Sequence, residues 1–279
     1  MTNFSIIILT YNEENNIKLC LEKAFLVSKD IFIVDSFSTD KTLEILSSYP
    51  VQILQNPFKN YADQRNWAQN NCPIKTEWVL HIDAGEILTS EFITWINNKF
   101  EEECTIWDGF IFSRRVYFLG KWIKYGAMYP NYHLRLFKKS KGYCENKSYD
   151  QHFVVAGKVK KLPLGIDIID NSGDDITEFI DKHNRWAVKE SNDLLEGSHT
   201  KGDVQEKITG NVIEQKRFLK NKFYYRLPLI WRSFFFFFYR YFLYFGFLDG
   251  KIGFIYHFLQ CLWFRIIIDG LYIQKKNDY

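Results

Sequence analysis

An α/β fold with a mostly parallel sheet is the class this sequence predicts, on three observations. Short apolar runs alternate with amphipathic helical segments through the first hundred residues. The runs are β-branched and apolar at consecutive positions, the pattern of strands buried on both faces. Polar and acidic clusters recur just past the predicted strand ends, the edge where open α/β sheets bind ligands.

The elements follow in order. Residues 4–10 (FSIIILT) predict the first strand. Asn12 is read as the cap of a helix with Glu13 and Glu14 in its first turn. Ile17, Leu21 and Ala24 give that helix its apolar face. Residues 30–35 (DIFIVD) predict a second strand, and Ser38 to Asp40 cap a helix carrying Leu43 and Leu46. Residues 51–54 predict a third strand, 61–71 a third helix, 77–82 a fourth strand and 90–100 a further helix. Strands alternating with helices imply right-handed βαβ units. Later strands are predicted at 109–118, 132–138 and 153–159, and helices at 177–198 and 203–222.

Length and composition narrow the class. A chain of 279 residues suits one α/β domain with an appendage. With 47% hydrophobic and 25% charged residues it is globular rather than disordered. A net charge of +3 is too mild to argue for nucleic acid as a partner. The five cysteines are scattered, with no C-x-x-C, so a disulfide framework or zinc site is not expected and a reducing compartment is. The apolar run 4–9 is too short for a secretory signal, and Met1 is read as the start of a cytoplasmic protein.

The composition shifts at residue 223. The stretch 230–248 reads IWRSFFFFFYRYFLYFGFL, and a second apolar segment covers 252–268 with His257, Gln260 and Arg265. A spanning helix needs about 20 mostly apolar residues. Arg232 and Arg240 interrupt this run and aromatics dominate it, which favours a helical hairpin in the membrane interface. A soluble core, an oligomer surface and a spanning segment are the alternatives. The expected domains are 1–222, with a first half at 1–107 that carries the acidic strand ends and a second half at 108–222, followed by a helical extension at 223–279.

Four segments carry a family resemblance: ILTYNEENNI, IFIVDSFSTDKT, YADQRNWA and EWVLHIDAGE. In order and spacing they resemble the donor-binding motifs of family 2 glycosyltransferases, which have the GT-A fold. The later segments HLRLFKK, DQHFVVAGKVKKL, DKHNRWAVKES and GFLDGKIGF are similar to bacterial members acting in lipopolysaccharide-core and capsule assembly.

The resemblance implies a site. Carboxylates at strand ends accept the N–H and O–H groups of a nucleotide, Asp35 from the base and Asp83 from the ribose. Thr10, Asn12, Glu13 and Ser36 line the same edge. Arg65 is read as positive charge near the diphosphate or the carboxylates, or as an ordinary surface arginine. Arg135 is read as facing the diphosphate, or as part of a solvated strand face. The family usually carries Asp-x-Asp, whose second Asp binds Mg²⁺ or Mn²⁺, and here Gly85 stands in that place. Asp83 and Glu86 are the remaining metal ligands, with His183 as a further candidate; metal-independent transfer or lost activity is the alternative. Asp150, in Tyr149-Asp150-Gln151-His152, is the expected base, with Asp108, Glu145 and Asp174 in reserve.

The function implied is inverting transfer from a nucleotide-sugar, uridine being the family's commonest base, to a lipid-linked or cell-envelope glycan. The enzyme is expected at the inner face of the cytoplasmic membrane, attached peripherally through 223–279, and a homo-oligomer is possible. Polyprenyl-phosphate glycosyl transfer and non-catalytic nucleotide-sugar binding are the rivals. A scaffold assembling through its aromatic tail is the reading from outside these classes.

Overall fold

The computed structural model describes residues 4–147, 150–171, 173–197 and 202–277; Met1 and Tyr149 lie outside them. The chain forms two compact units that interleave in sequence. The first holds residues 1–114, 132–145 and 152–171, and the second holds 115–131, 146–151 and 172–279. Neither unit ends at residue 222, the boundary expected from the sequence. The helices that follow residue 172 belong with the aromatic extension and not with the sheet.

The first unit begins with β1 (Phe4–Thr10), α1 (Ile17–Ala24), β2 (Ile31–Asp35), α2 (Thr42–Leu46), β3 (Gln52–Gln55) and α3 (Tyr61–Asn71). It continues with β4 (Trp78–Asp83), β5 (Glu86–Leu88) and α4 (Ser90–Glu103). Next come β6 (Gly109–Phe118, which runs on into the second unit), β7 (Lys121–Ile123, in the second unit) and β8 (Tyr132–Lys138). The last strands are β9 (Gly142–Cys144), β10 (Phe153–Val155), β11 (Val159–Lys161) and β12 (Asp167–Asp170). The sheet order is β3-β2-β1-β4-β8-β6-β12-β5. The pairs β1–β2, β1–β4 and β2–β3 are parallel, and β8 is antiparallel to both β4 and β6.

Alternation along β1 explains its position at the centre. Ile6 and Ile8 pack with Ile17, Cys20 and Leu21 of α1 on one face of the sheet. Ile7 and Leu9 pack with Ala68 and Cys72 beside α3 on the other. Both faces are covered, so a continuous apolar run is what this strand needs. Full burial of each such side chain contributes about 2 kcal/mol.

Two local expectations are corrected. α1 starts at Ile17, with Asn16 at its N-cap position, so Asn12 does not cap it. Asn12 takes a left-handed φ of 53° and its side chain reaches a different loop. The single strand expected at 153–159 is two short strands, with Gly157 at φ 136° between them; a Cβ there would meet the Asp108 carboxylate.

The second unit contains α5 (Ile176–Leu195), α6 (Val212–Lys222), α7 (Trp231–Phe238), α8 (Gly250–His257) and α9 (Phe264–Asn277). The helix expected over 203–222 begins only at Val212, where Asn211 and Glu214 form a reciprocal capping box that sets its start. α7 runs into a π-helical turn at Tyr239–Leu243, and another joins α8 to α9 at Phe258–Trp263. Phe245, in the left-handed region, reverses the chain, and Arg232 of α7 pairs with Asp269 of α9. The two helical runs thus form an antiparallel hairpin.

This hairpin is inverted in polarity. Arg232, Asp249, His257 and Asp269 are buried, while Trp231, Phe235, Phe238, Phe242, Phe245 and Phe258 are exposed, as are further aromatics on the same run. The run Gly246–Asn277 is long and apolar enough to cross a membrane by length and composition, with mean hydropathy 1.3 and 44% of that window buried.

Candidate active site

The candidate site lies at the carboxyl ends of β1, β2 and β4 in the first unit. Register sets it: Thr10 is paired with Asp35, and Leu9 with Asp83. Three strand ends therefore place three polar side chains along one edge, although Asp35 and Asp83 are 48 residues apart in sequence.

The first two loops brace each other. The Asn12 carboxamide accepts from Thr39 N at 2.8 Å, and Asn12 N donates to the Ser38 hydroxyl at 2.9 Å. Glu13 N donates to Thr42 Oγ1 at 2.8 Å, and the Glu13 carboxylate accepts from Asn16 at 2.8 Å. Asp35 is fully buried. Its carboxylate accepts from Ser38 N at 3.1 Å, from the Ser38 hydroxyl and from Gln55 Nε2 at 3.0 Å. Ser36 Oγ accepts from Gln64 Nε2 at 3.1 Å. In this structure Asp35 and Ser36 thus organise their own loop. Ser38 was read as part of a helix cap, Gln64 lies inside the segment YADQRNWA without being singled out, and nothing local in the sequence marks Gln55.

Helix α3 carries Arg65 to the end of β4. Asn60 caps that helix by accepting from Asp63 N. Asn66, one residue on from Arg65, exchanges two hydrogen bonds with the backbone of Cys144, at 2.8 and 2.9 Å. Arg65 is buried between the rings of Tyr61 and Phe153, and its Nη2 lies 3.1 Å from Asp83 Oδ2. Arg65 thus lies beside the Asp83 carboxylate and not on an exposed helix face.

Arg135 is also buried. Its Nη2 lies 3.5 Å from Asp83 Oδ2 and 3.3 Å from Glu86 Oε1. Arg114 reaches the same Glu86 oxygen at 3.5 Å and Asp170 at 3.2 Å. Asp170 stands opposite Glu86 in the antiparallel β12–β5 pair. Three carboxylates and three guanidinium groups therefore share this turn. Arg114 and Asp170 escaped sequence reading, since only non-local strand pairing brings them here.

The two carboxylates of the β4–β5 turn differ in the direction of their pKa shifts and in access. Burial opposes ionisation of Asp83, but Arg65 and then Arg135 more than offset it and hold the carboxyl well below its usual range. Glu86 is shifted the other way, because burial outweighs the help it receives from Arg135. The Asp83 side chain is 31% exposed and Glu86 is 2% exposed. Glu86 Oε2 accepts from Asp83 N at 2.9 Å, so its longer side chain folds back onto the turn. Glu86 is not positioned as a metal ligand.

His183 is not positioned as one either. It lies in the second unit, against the Phe179, Trp186 and Phe264 rings. Its Nδ1 is 2.7 Å from Phe179 O and its Nε2 is 2.7 Å from Gln260 Oε1, so both ring nitrogens are engaged. Burial lowers its pKa to about 4.

Asp150 is also in the second unit, with φ 54°. Its carboxylate lies 3.0 Å from Lys220 Nζ, and its carbonyl accepts from Arg217 at 3.1 Å. Lys220 in turn lies 3.6 Å from Glu190, which Arg265 and Tyr225 also hold. The three reserve carboxylates each accept from a loop backbone: Asp108 from Lys158 N, Glu145 from His152 N and Asp174 from Gly120 N.

Acidic strand ends with buried arginines behind them thus stand on an α/β sheet covered by helices on both faces. The chain belongs to glycosyl transferase family 2, whose model matches residues 5–157, and the GT-A class expected from the motifs is the class observed. A glycosyltransferase of Rickettsia bellii (strain RML369-C), described as uncharacterised, is 34% identical over 87 residues, covering 31% of this chain and 29% of that protein. The lipopolysaccharide core biosynthesis glycosyltransferase LpsC of Rhizobium meliloti (strain 1021) is 28% identical over 167 residues, covering 58% of this chain and 60% of that protein. The match to the Rickettsia bellii protein thus spans less than a third of its length. Among solved structures, residues 1–349 of S. aureus TarS align with a TM-score of 0.46 at 14% identity, covering 100% of this chain and 92% of that one.

Proposed function

We propose that this chain transfers a sugar, with inversion, from a nucleoside-diphosphate sugar to a lipid-linked or cell-envelope glycan at the membrane surface. The observation that carries the reading is the partly exposed, ionised Asp83 at the end of β4, backed by Arg65 and Arg135. An anionic carboxylate there accepts ribose hydroxyls, and guanidinium groups beside it suit a diphosphate. A uridine carrier is the first choice, as the family's commonest.

The reaction is a single displacement. The acceptor oxygen bonds to the anomeric carbon as that carbon's bond to the diphosphate breaks, and the electron pair leaves on the nucleoside diphosphate. A carboxylate base takes the acceptor's proton, and positive charge stabilises the leaving group. Asp150 is the proposed base, with Lys220 Nζ 3.0 Å from its carboxylate. The Asp150→Asn variant tests it: transfer is lost while nucleotide binding persists, and near-normal transfer removes Asp150 from the role.

The membrane part of the proposal is supported by the inverted hairpin. The hairpin buries Arg232, Asp249 and Asp269 while leaving a series of aromatics exposed, and exposed apolar surface of that kind marks an interaction site. Lys222, Arg226 and Lys251 are exposed in the same unit and suit anionic headgroups. Flotation with anionic liposomes is the test, and a chain that stays unbound at low salt rules the proposal out.

A further inference from the structure

The turn Asp83-Ala84-Gly85-Glu86 is where family membership implies Mg²⁺ or Mn²⁺, and its residues do not fit one. Such hard cations want oxygen ligands with free lone pairs. Gly85 has no side chain, and its carbonyl accepts from Asn171 N at 3.0 Å. Glu86 is inaccessible, with one oxygen on Asp83 N and the other on Arg135 and Arg114. Asp83 can be reached, but Arg65 and Arg135 both lie against its Oδ2, at 3.1 and 3.5 Å. A dication on that oxygen would face two guanidinium charges in a partly dry site, where repulsion is far stronger than in water. Among the described residues no three His, Cys, Asp or Glu side chains converge as a metal site does.

What the strand end offers instead is hydrogen-bond donors. The Nε of Arg65, the Nη1 of Arg135 and the hydroxyl of Thr10 are buried without a partner. Orphaned buried donors are rare in native proteins. Phosphate oxygens are the acceptors that a guanidinium fork matches best. Resting on the transferase reading above, we propose that this chain binds its nucleoside diphosphate without a divalent cation, with the guanidinium groups of Arg65 and Arg135 standing at Asp83 in the cation's place.

Calorimetry on the full chain tests this with UDP, GDP, ADP and CDP, each in EDTA and in Mn²⁺. The expected result is one diphosphate whose Kd agrees within about threefold between the two buffers. Arg65→Gln and Arg135→Gln each weaken that diphosphate by roughly tenfold or more. The matching monophosphate keeps its affinity in both variants, which shows that the site is still folded. Where Arg65→Gln does not fold, Arg65→Lys keeps the charge and loses the fork, and an intermediate loss is expected. Binding that requires Mn²⁺ overturns the metal-free proposal and leaves the transferase reading standing. Equal loss of diphosphate and monophosphate in folded variants overturns the role of the arginines. Failure of all four diphosphates to bind in either buffer overturns the transferase reading and this proposal with it.

Discussion

Arg65 grips Asp83 through a single guanidinium nitrogen, 3.1 Å from one carboxylate oxygen and 3.3 Å from the other. The pair joins helix α3 to the end of β4. It also favours the ionised form of Asp83. With Arg135 on the same carboxylate, a neutral Asp83 is disfavoured throughout the physiological range.

A pH dependence of stability follows. The folded pKa of Asp83 lies below its unfolded value of about 3.9, so its contribution is complete above that value and is lost as pH falls through the folded pKa. Asp83→Asn should cost about 1–2 kcal/mol at pH 7, less than for a fully buried pair because a third of the side chain sees water. The difference in Tm between variant and parent should shrink steadily on titration below pH 4. A difference that stays constant down to pH 2 contradicts the ion pair.

The second unit should be acid-labile over a higher window. Burial lowers both His183 and His257 to about 4. Their unfolded forms take up protons near pH 6.5, so the unfolded state binds more protons between about 6.5 and 4. Stability is therefore complete above pH 6.5 and falls as pH drops towards 4, by on the order of 2–3 kcal/mol per histidine. His257→Gln should flatten part of that slope in pH-dependent melts, and an unchanged slope refutes the assignment.

The same histidine makes Gly126 irreplaceable. Gly126 has φ 69°, and a Cβ there would stand 2.1 Å from the His257 ring. Gly126→Ala should cost more than about 3 kcal/mol, since strain and overpacking add. A urea-melt loss below about 1 kcal/mol would show that the ring has room to move.

Charge and aromatic substitutions in the hairpin should act in opposite directions. Arg232 is buried against Asp269, so Arg232→Ala leaves an unpaired buried carboxylate and should cost about 3–5 kcal/mol. Phe235→Ser and Phe242→Ser alter exposed positions and should change stability by no more than about 0.5 kcal/mol. Those two variants should nevertheless lose most liposome binding, read by flotation. Stable variants that still float contradict the membrane-facing hairpin.

Much of the fold was legible because its signals are local. Short apolar runs marked β1, β2 and β4, and the bounds read for α3, β6 and β8 are those observed. Asn12 was misread because an Asn before two acids also fits a helix cap; its left-handed φ, which links two loops, is set by residues about 27 positions away. Asn211 was missed as a helix start because lysines on both sides of it read as one continuous polar helix.

The sequence by itself determined the strand–helix alternation, the edge that carries Asp35 and Asp83, and the unusual aromatic tail. Periodicity and strand-end chemistry are local properties that survive without neighbours. Only the tertiary structure decided that Glu86 is sealed by Arg114 and Arg135, that Asp170 completes the cluster, that His183 is packed, and that Arg232 of the tail is buried against Asp269. Those outcomes depend on antiparallel register and on ion pairs between residues far apart in the chain. Burial by distant elements, not residue type, determines which side chains remain free to meet a ligand.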